Sequence, residues 1–274
     1  MRRILILYIS TLGLFLFYLN SQGLARQDIF NRIISIDYCS DQYVLKFANI
    51  KNIVAVSKDS EKSFSYMSKI AKGIKKIDPN TEEILNLNPD LVVRSFAGSR
   101  NLEKFLNSVN IKLLTLPHVT NIEDIKKVIK HIGILFNNID ISNEIIIDIE
   151  NKINNLNPSS TSISAIYVSP AGMTAGQGTL IDNLFILSGI QNFQTQSGWR
   201  SLPIERVLLM KPDLIVYGAF ENLKDHPDIW NPLRHPISKQ QLDSLPAVYL
   251  KSSLIACGGW FFLEALNTLI EARK

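Results

Sequence analysis

The residues that most often carry out chemistry in proteins are scattered along this chain. The sequence contains no nucleophile elbow, zinc-protease motif, phosphate-binding loop or C-x-x-C pair. The histidines lack the spacing of metal ligands, and each is more simply a surface residue: His118, His131, His226 and His235. Gly176-Gln177-Gly178 opens a predicted helix, where free N–H groups bind anions, although a tight turn also explains these glycines. We therefore expect a protein that is not an enzyme and that has no cofactor or metal ion of its own.

Aromatic residues are placed where a parallel sheet would hold a ligand, because such sheets bind ligands beyond the carboxyl ends of their strands. The predicted ligand-binding residues follow strands or lie in loops that can close the same space: Tyr38, Cys39, Tyr66, Phe96, Trp199, Arg200, Tyr217 and Trp260. A lining that is rich in rings and nearly free of acids suits a large, flat or partly apolar ligand better than a bare metal ion. The alternative is that some of these rings are core residues, and Tyr217, directly after a strand, is the first candidate for that role.

A repeated pattern gives the chain its organisation. Glu82 precedes Pro89-Asp90-Leu91 by seven residues, and Glu205 precedes Pro212-Asp213-Leu214 by the same interval. Each copy predicts a short helix that proline ends and a buried parallel strand that follows. A carboxylate near a helix start is favoured by the helix dipole, which alone accounts for each glutamate. The repetition indicates more, namely two matched lobes that each present one acid to the same partner.

The alternation of predicted strands and helices indicates an α/β fold with two lobes, each with a parallel-type sheet flanked by helices. We predict a signal peptide over residues 1–25, an N-terminal α/β lobe over 26–140, a single long linking helix over 141–157 and a C-terminal α/β lobe over 158–274. A helical connector, unlike a Gly/Ser-rich linker, would hold the two lobes at a nearly fixed separation.

The N-terminus has the features of an export signal. Arg2-Arg3 precedes an uncharged apolar run over Ile4–Leu19, and Gly23-Leu24-Ala25 supplies small residues for cleavage after Ala25. An uncleaved anchor is the alternative, because the run is slightly long for a signal peptide. The predicted destination is the periplasm.

Two of the net +4 charges come from Arg2 and Arg3, so the composition does not favour a nucleic-acid partner. We also expect the protein to be a monomer.

Cys39 and Cys257 are the two cysteines of the chain. Export into an oxidising compartment permits a disulfide between them. Two buried thiols, or a role in a site, are equally compatible with the sequence.

Together these segments resemble the helical-backbone periplasmic binding proteins that serve ABC importers of vitamin B12 and iron-siderophores. The similarity covers about residues 32 to 272 and rests on Arg32-Ile-Ile-Ser-Ile, on both Glu…Pro-Asp-Leu copies, and on Gly176-Gln-Gly178-Thr-Leu-Ile-Asp182 with Gly189. The resemblance implies a ligand held between two lobes with little hinge motion. It also implies that Glu82 and Glu205 pair with arginines of the membrane permease, since they fall on the positions of the family's docking glutamates.

The ligand implied by the resemblance is a metal complex, either cobalamin or an iron-siderophore or haem-type chelate. No obvious arginine cluster for a catecholate or citrate complex is present, which favours a corrinoid or a less anionic chelate. One alternative is an exported enzyme or metal-cluster or redox protein on the same scaffold that uses Cys39 and Cys257. A direct zinc or manganese binder is disfavoured, because the expected histidines and carboxylates do not follow the strands.

Overall fold

The computed structural model describes residues 30–95, 100–156, 163–219, 240 and 242–273. The first lobe is built on a parallel sheet in the order β3-β2-β1-β4-β5. Its strands are β1 (Ile33–Ser35), β2 (Ile53–Ser57), β3 (Lys76–Ile77), β4 (Leu91–Arg94) and β5 (Lys112–Thr115). Its helices are α1 (Tyr38–Phe47), α2 (Thr81–Asn86) and α3 (Arg100–Ser108). Strands β1 and β4 are buried on both faces, which explains their unbroken apolar sequence.

Two packed helices follow the first sheet, α4 (Ile122–Leu135) and α5 (Ile139–Asn154). Their close approach depends on Gly133, because a Cβ there would lie 2.3 Å from Ser142 Cβ. Ser142 Oγ also donates to Ile129 O at 3.1 Å. The helix predicted over 141–157 overlaps α5, although residue 157 lies outside the described part of the chain, and its role as the link between lobes stays a prediction. The lobe boundaries predicted from sequence stay a prediction.

The second lobe repeats the parallel arrangement in the order β11-β10-β6-β8, and β7 and β9 form a separate antiparallel ribbon. Its strands are β6 (Ile163–Val168), β7 (Met173–Ala175), β8 (Ile190–Asn192), β9 (Trp199–Ser201), β10 (Leu214–Ala219) and β11 (Ala247–Lys251). Its helices are α6 (Leu180–Ser188), α7 (Ile204–Met210), α8 (Ser252–Ile255) and α9 (Phe262–Ala272). The predicted two-lobed α/β fold with parallel sheets is confirmed.

Helix α4 contacts both lobes. At its start, Ile122 N donates to Asn183 Oδ1 of α6 at 3.0 Å, and after its end Asn138 Nδ2 donates to Phe47 O of α1 at 3.1 Å. One hydrophobic cluster accordingly runs from α1 through α4 to α9 and includes buried residues of both lobes. Two smaller clusters lie on the opposite faces of the two sheets. A core shared between lobes opposes large hinge motion, and the limited hinge motion that the resemblance implies stays a prediction.

The predicted signal peptide lies outside the described residues. Within the described ranges, no helix combines the length and the apolar character that crossing a bilayer requires.

Candidate functional site

A cavity of about 370 Å³ lies between the two lobes, within the size range of small-molecule sites. The first lobe lines it with residues at the start of α1, with Ser95 after β4 and with residues 116–119 after β5. The second lobe contributes residues 178–181 around the start of α6, Gly198 and Trp199 at β9, and residues 255–258 after β11. The cavity therefore occupies the place that parallel sheets give to ligands, beyond the carboxyl ends of their strands.

A disulfide joins the lobes at the wall of this cavity. Cys39 in the first turn of α1 is bonded to Cys257, which lies between α8 and α9, with their Cα atoms 5.4 Å apart. The bond connects positions 218 residues apart in the chain. This answers the question that the sequence left open, and in the bonded state neither cysteine offers a thiolate for metal binding or thiol chemistry.

Further contacts extend the connection along the same side. Tyr43 Oη donates to Gly258 O at 2.7 Å, and Tyr66 Oη donates to Glu264 Oε1 at 2.6 Å. Trp260 packs edge-on against Tyr43, Phe47 and Tyr66 at ring-centroid distances of 5.8, 5.9 and 6.2 Å. We call this set, Cys39–Cys257 with Tyr43, Tyr66, Trp260 and their partners, the disulfide side of the cavity.

The tyrosines on the disulfide side remain neutral hydrogen-bond donors. Burial, with Glu264 beside the ring, raises the pKa of Tyr66 to about 12. Burial raises the pKa of Tyr43 well above its ordinary value. Both phenols therefore keep their protons, and their bonds to the second lobe, at any ordinary pH.

Another part of the cavity wall is open to solvent. Trp199 packs edge-on against Tyr167 at 5.8 Å, yet 52% of its surface is exposed. His118 is also exposed and lines the cavity from the first lobe. We call His118, Gly178, Gly198 and Trp199 the open side.

The residues predicted to bind the ligand are brought only partly together. Cys39 and Trp199 line the cavity. Tyr66 and Trp260 lie on the disulfide side, where they pack against each other. Arg200 is exposed, and its Nε donates to Ser197 O at 3.0 Å.

The remaining predicted residues are not among the described residues that line the cavity. Tyr38 packs edge-on against Phe64 at 4.8 Å, and Tyr217 stacks on Tyr249 at 5.2 Å. Phe96 lies outside the described residues. A role in ligand binding stays a prediction for every member of the predicted set.

Sequence reasoning missed several residues that line the cavity, including Tyr43, His118 and Val119. The sequence did contain a signal for His118 and Val119, because residues 116–119 follow β5 and ligands bind beyond the carboxyl ends of such strands. Val119 approaches the second lobe closely: a Cβ on Gly258 would lie 2.0 Å from Val119 Cγ2. Tyr43 faces the cavity from within α1, where the rule does not apply.

The first turns of α2 and α7 present the repeated glutamates. Glu82 and Glu205 are both exposed, and neither side chain has a hydrogen bond or ion pair to another described residue. In the first copy the helix start is satisfied by other groups, since Asn80 Oδ1 accepts from Glu83 N at 2.9 Å and Glu83 accepts from Asn80 Nδ2 at 3.0 Å. Glu82 is therefore not needed as a cap.

The aspartate of each repeat has the same structural role in both lobes. Asp90 accepts from the backbone N–H groups of Asn31 at 2.7 Å and Arg32 at 3.0 Å, just before β1. Asp213 accepts from Ser164 N at 2.7 Å and Ser164 Oγ at 2.8 Å, in β6. These bonds lower the pKa of Asp213. Each aspartate thus attaches the repeat strand to the neighbouring strand of its sheet. In both copies of the repeat, therefore, the aspartate has a structural role, whereas the glutamate is exposed and has no partner among the described residues.

The model of the periplasmic binding protein family matches residues 33–228, and the chain belongs to that family. It is a solute-binding protein rather than an enzyme, and the family implies an exported protein that works with an ABC transporter permease. The resemblance stated from the sequence is thereby confirmed. A search of curated proteins gives no match.

Solved structures with the same fold include a possible iron-binding periplasmic solute-binding protein from Staphylococcus epidermidis, with a TM-score of 0.70, 18% identity, and coverage of 90% of this chain and 99% of that one. A periplasmic heme-binding protein from Pseudomonas aeruginosa has a TM-score of 0.69 and 16% identity, covering 89% and 92%. The vitamin B12 binding protein BtuF of Vibrio cholerae has a TM-score of 0.63 and 20% identity, covering 89% and 96%. At these identities the likeness is one of fold.

Proposed function

We propose that this chain captures a flat metal chelate, a corrinoid or a haem-type complex, in the cavity between its lobes and delivers it to an ABC import permease. The observation that carries the proposal is the chemistry of the lining: none of the described residues around the cavity is Asp, Glu, Lys or Arg. Apolar residues from both lobes, such as Leu116, Leu180 and Ile255, form much of the wall, with Trp199 at its open side.

A wall without charge discriminates between ligand classes. A bare cation would lack carboxylate or multiple imidazole ligands, and a highly anionic catecholate or citrate complex would be desolvated without a compensating cation. A large, weakly charged ring system loses little polar solvation and gains apolar and aromatic contact. Fold neighbours that bind haem and vitamin B12 support the same class.

The rest of the proposal follows from the sequence and the family. The N-terminal segment is cleaved after Ala25, the mature chain acts in the periplasm as a monomer, and Glu82 and Glu205 dock the loaded protein on the permease. Support for the docking role comes from the exposure of both glutamates and from the absence of partners for them among the described residues. Charge pairs at the rim of an interface mainly set orientation and association rate.

Ligand titration tests the proposed class. The mature chain is titrated with cyanocobalamin, ferric haem, a ferric hydroxamate and a ferric catecholate, and binding is followed by tryptophan quenching and by absorbance. We expect saturable binding of a corrinoid or haem and none of the catecholate. Preferential binding of the catecholate, or binding of none of the four, would contradict the proposal.

The docking role is tested by Glu82→Ala combined with Glu205→Ala. We expect uptake into cells or vesicles that carry the cognate importer to be lost, while ligand affinity in solution is unchanged, because both side chains lie away from the cavity lining. The control replaces Glu144 and Glu271, which are exposed acids on α5 and α9. Loss of ligand binding in the docking variant, or equal loss of uptake in the control, would contradict the assignment.

A further inference from the structure

The helix that carries the second repeated glutamate also carries the most exposed large apolar side chain in the described part of the chain. Leu209 of α7 leaves 84% of its surface exposed, and Met210 after it leaves 65%. Val207, by contrast, is fully buried and attaches α7 to its lobe. Adjacent apolar side chains with this exposure are typical of a surface that another molecule covers. We call Leu209 and Met210 the α7 patch.

The α7 patch adjoins Glu205. Four residues separate Glu205 from Leu209, which places the two side chains on the same face of the helix, about 6 Å apart along its axis. Val207, two residues after the glutamate, faces the opposite way, into the lobe. The carboxylate and the leucine therefore share one outward surface.

The first copy of the repeat has a matching backbone without this patch. Ile84 of α2, two residues after Glu82, is fully buried. The chain passes through a left-handed residue after each helix, at Asn88 with φ 44° and at Lys211 with φ 45°. Four residues after its glutamate, however, α2 has the polar Asn86. The two helices thus present equivalent carboxylates on equivalent backbones, with an apolar neighbour only in the second lobe.

We propose that Leu209, with Met210 beside it, is an apolar contact between the second lobe and the permease, an inference that rests on the proposed function. The permease is the partner because the patch shares a helix with Glu205, whose carboxylate is exposed and has no partner among the described residues. The receiving surface of the permease is apolar one helix turn from the cation that pairs with Glu205. Apolar contact at this place excludes water from the charge pair and strengthens the attraction.

The permease then recognises the two lobes unequally. Both copies of the repeat have a leucine three residues after the glutamate, Leu85 and Leu208, so this position does not distinguish the lobes. The next position does, because Asn86 stands in the first lobe where Leu209 stands in the second. The α7 patch therefore gives the protein a preferred orientation on a permease whose two receiving surfaces differ.

Binding of the mature chain to its cognate importer in lipid nanodiscs tests the contact. Leu209→Asn gives the second copy the side chain of the first, and Asn86→Ala is the matched change in the first lobe. Ile186→Asn is the control for an exposed apolar residue elsewhere, because Ile186 of α6 is 65% exposed and is not part of the cavity lining. Each variant is also unfolded in urea and titrated with cyanocobalamin and ferric haem.

We expect Leu209→Asn to bind the importer roughly tenfold more weakly than the wild type, equivalent to about 1.4 kcal/mol. Asn86→Ala and Ile186→Asn should stay within about twofold of the wild type. Affinity for cyanocobalamin and ferric haem should be the same in every variant, because none of the three positions lines the cavity. A similar unfolding midpoint in all of them would show that Leu209→Asn is folded.

Three results would overturn the inference. The first is wild-type affinity for the importer in Leu209→Asn, and the second is an equal loss of affinity in Asn86→Ala or Ile186→Asn. The third is a dimer of the wild type that Leu209→Asn dissociates while importer binding is unchanged, since the α7 patch would then belong to a contact with a second copy of this chain.

Comparison with the double variant of Glu82→Ala and Glu205→Ala separates this inference from the proposed docking role. If the double variant loses importer binding and Leu209→Asn does not, the apolar contact is wrong and the docking role of the glutamates stands. If Leu209→Asn loses binding and the double variant does not, the apolar contact stands and the glutamate assignment is wrong. If neither change affects binding, both fail together.

Discussion

On the disulfide side of the cavity, Trp260 is packed among Tyr43, Phe47 and Tyr66, whereas on the open side Trp199 leaves 52% of its surface exposed. The sequence analysis predicted that both tryptophans bind the ligand, yet one joins the lobes to each other and the other is available for contact with a ligand. The disulfide side connects the two lobes, and we propose that the open side supplies contacts to the ligand. Stability and binding should therefore respond separately to changes on the two sides.

The largest effect should come from removing the disulfide. Cys39→Ser with Cys257→Ser should lower the free energy of unfolding by about 2–5 kcal/mol, because the bond closes a loop between residues 218 positions apart. Urea unfolding measures this loss. Reduction of the wild type should reproduce it, and reducing agent should not affect the double variant. An unchanged unfolding midpoint would mean that the bond does not constrain the lobes.

The second effect concerns the helix that carries Cys39. Asp41 of α1 is fully buried and accepts from Ser57 N at 3.1 Å and from Ser57 Oγ at 2.5 Å, which attaches α1 to β2. Burial raises the pKa of Asp41 from 3.8 to about 7, despite the opposing hydrogen bonds from Ser35 and Ser57. Between these values the folded state holds a proton that the unfolded state has lost, so stability falls as pH rises through this window.

Asp41→Asn tests this dependence. From pH 4 to pH 7 the wild type should lose stability relative to the variant by an amount on the order of 1–3 kcal/mol. The difference between the two unfolding free energies removes the contribution of other titrating groups. Parallel pH profiles for the two proteins would show that Asp41 titrates at an ordinary pKa and that its environment is not as described.

The third effect is on ligand affinity and belongs to the open side. Trp199→Ala should weaken binding of the chelate by roughly tenfold, because a large aromatic contact is removed. Stability should change little, since the side chain is half exposed. Tyr249→Ala is the matched control, an exposed ring outside the cavity lining. Equal affinity in Trp199→Ala and the wild type would contradict the proposal that the open side contacts the ligand.

The smallest effect is expected from Tyr66→Phe, which removes one hydrogen bond to Glu264 on the disulfide side. The free energy of unfolding should fall by about 1 kcal/mol, and ligand affinity should stay within a factor of two or so of the wild type. Tyr249→Phe serves as the control hydroxyl deletion. A drop in affinity without a drop in stability would assign Tyr66 to the ligand instead, as the sequence analysis predicted.

The fold was largely predictable because it rests on local patterns. Apolar strands such as β4 and β10, with proline-ended helices before them, identify a parallel α/β lobe wherever they occur. The role of an aromatic residue was less predictable. Trp260 was selected because it follows a strand, and Trp199 because it was expected in a loop that could close the same space. The partners that the chain brings to Trp260 from α1 distinguish the two.

Long-range pairing accounts for the remaining differences. Nothing in the sequence near Cys39 specifies Cys257, so the disulfide could be stated only as one of several options. His118 was predicted to be a surface residue because it is isolated from the other histidines in sequence, and it is exposed. Its place in the cavity lining could not be predicted, because that depends on how the segment after β5 faces α6. Glu82 and Glu205 were found from a repeat, a signal that needs no tertiary contact, and their docking role stays a proposal.

The account depends most on the location of the ligand, and crystals of the loaded protein test it directly. Anomalous scattering at the metal absorption edge gives the position of the iron or cobalt without a model of the ligand. We predict a single peak inside the cavity, bordered by Leu116 and His118 of the first lobe and by Trp199 and Cys257 of the second lobe. A peak on the outer surface of either lobe, with the cavity still empty, would contradict the account.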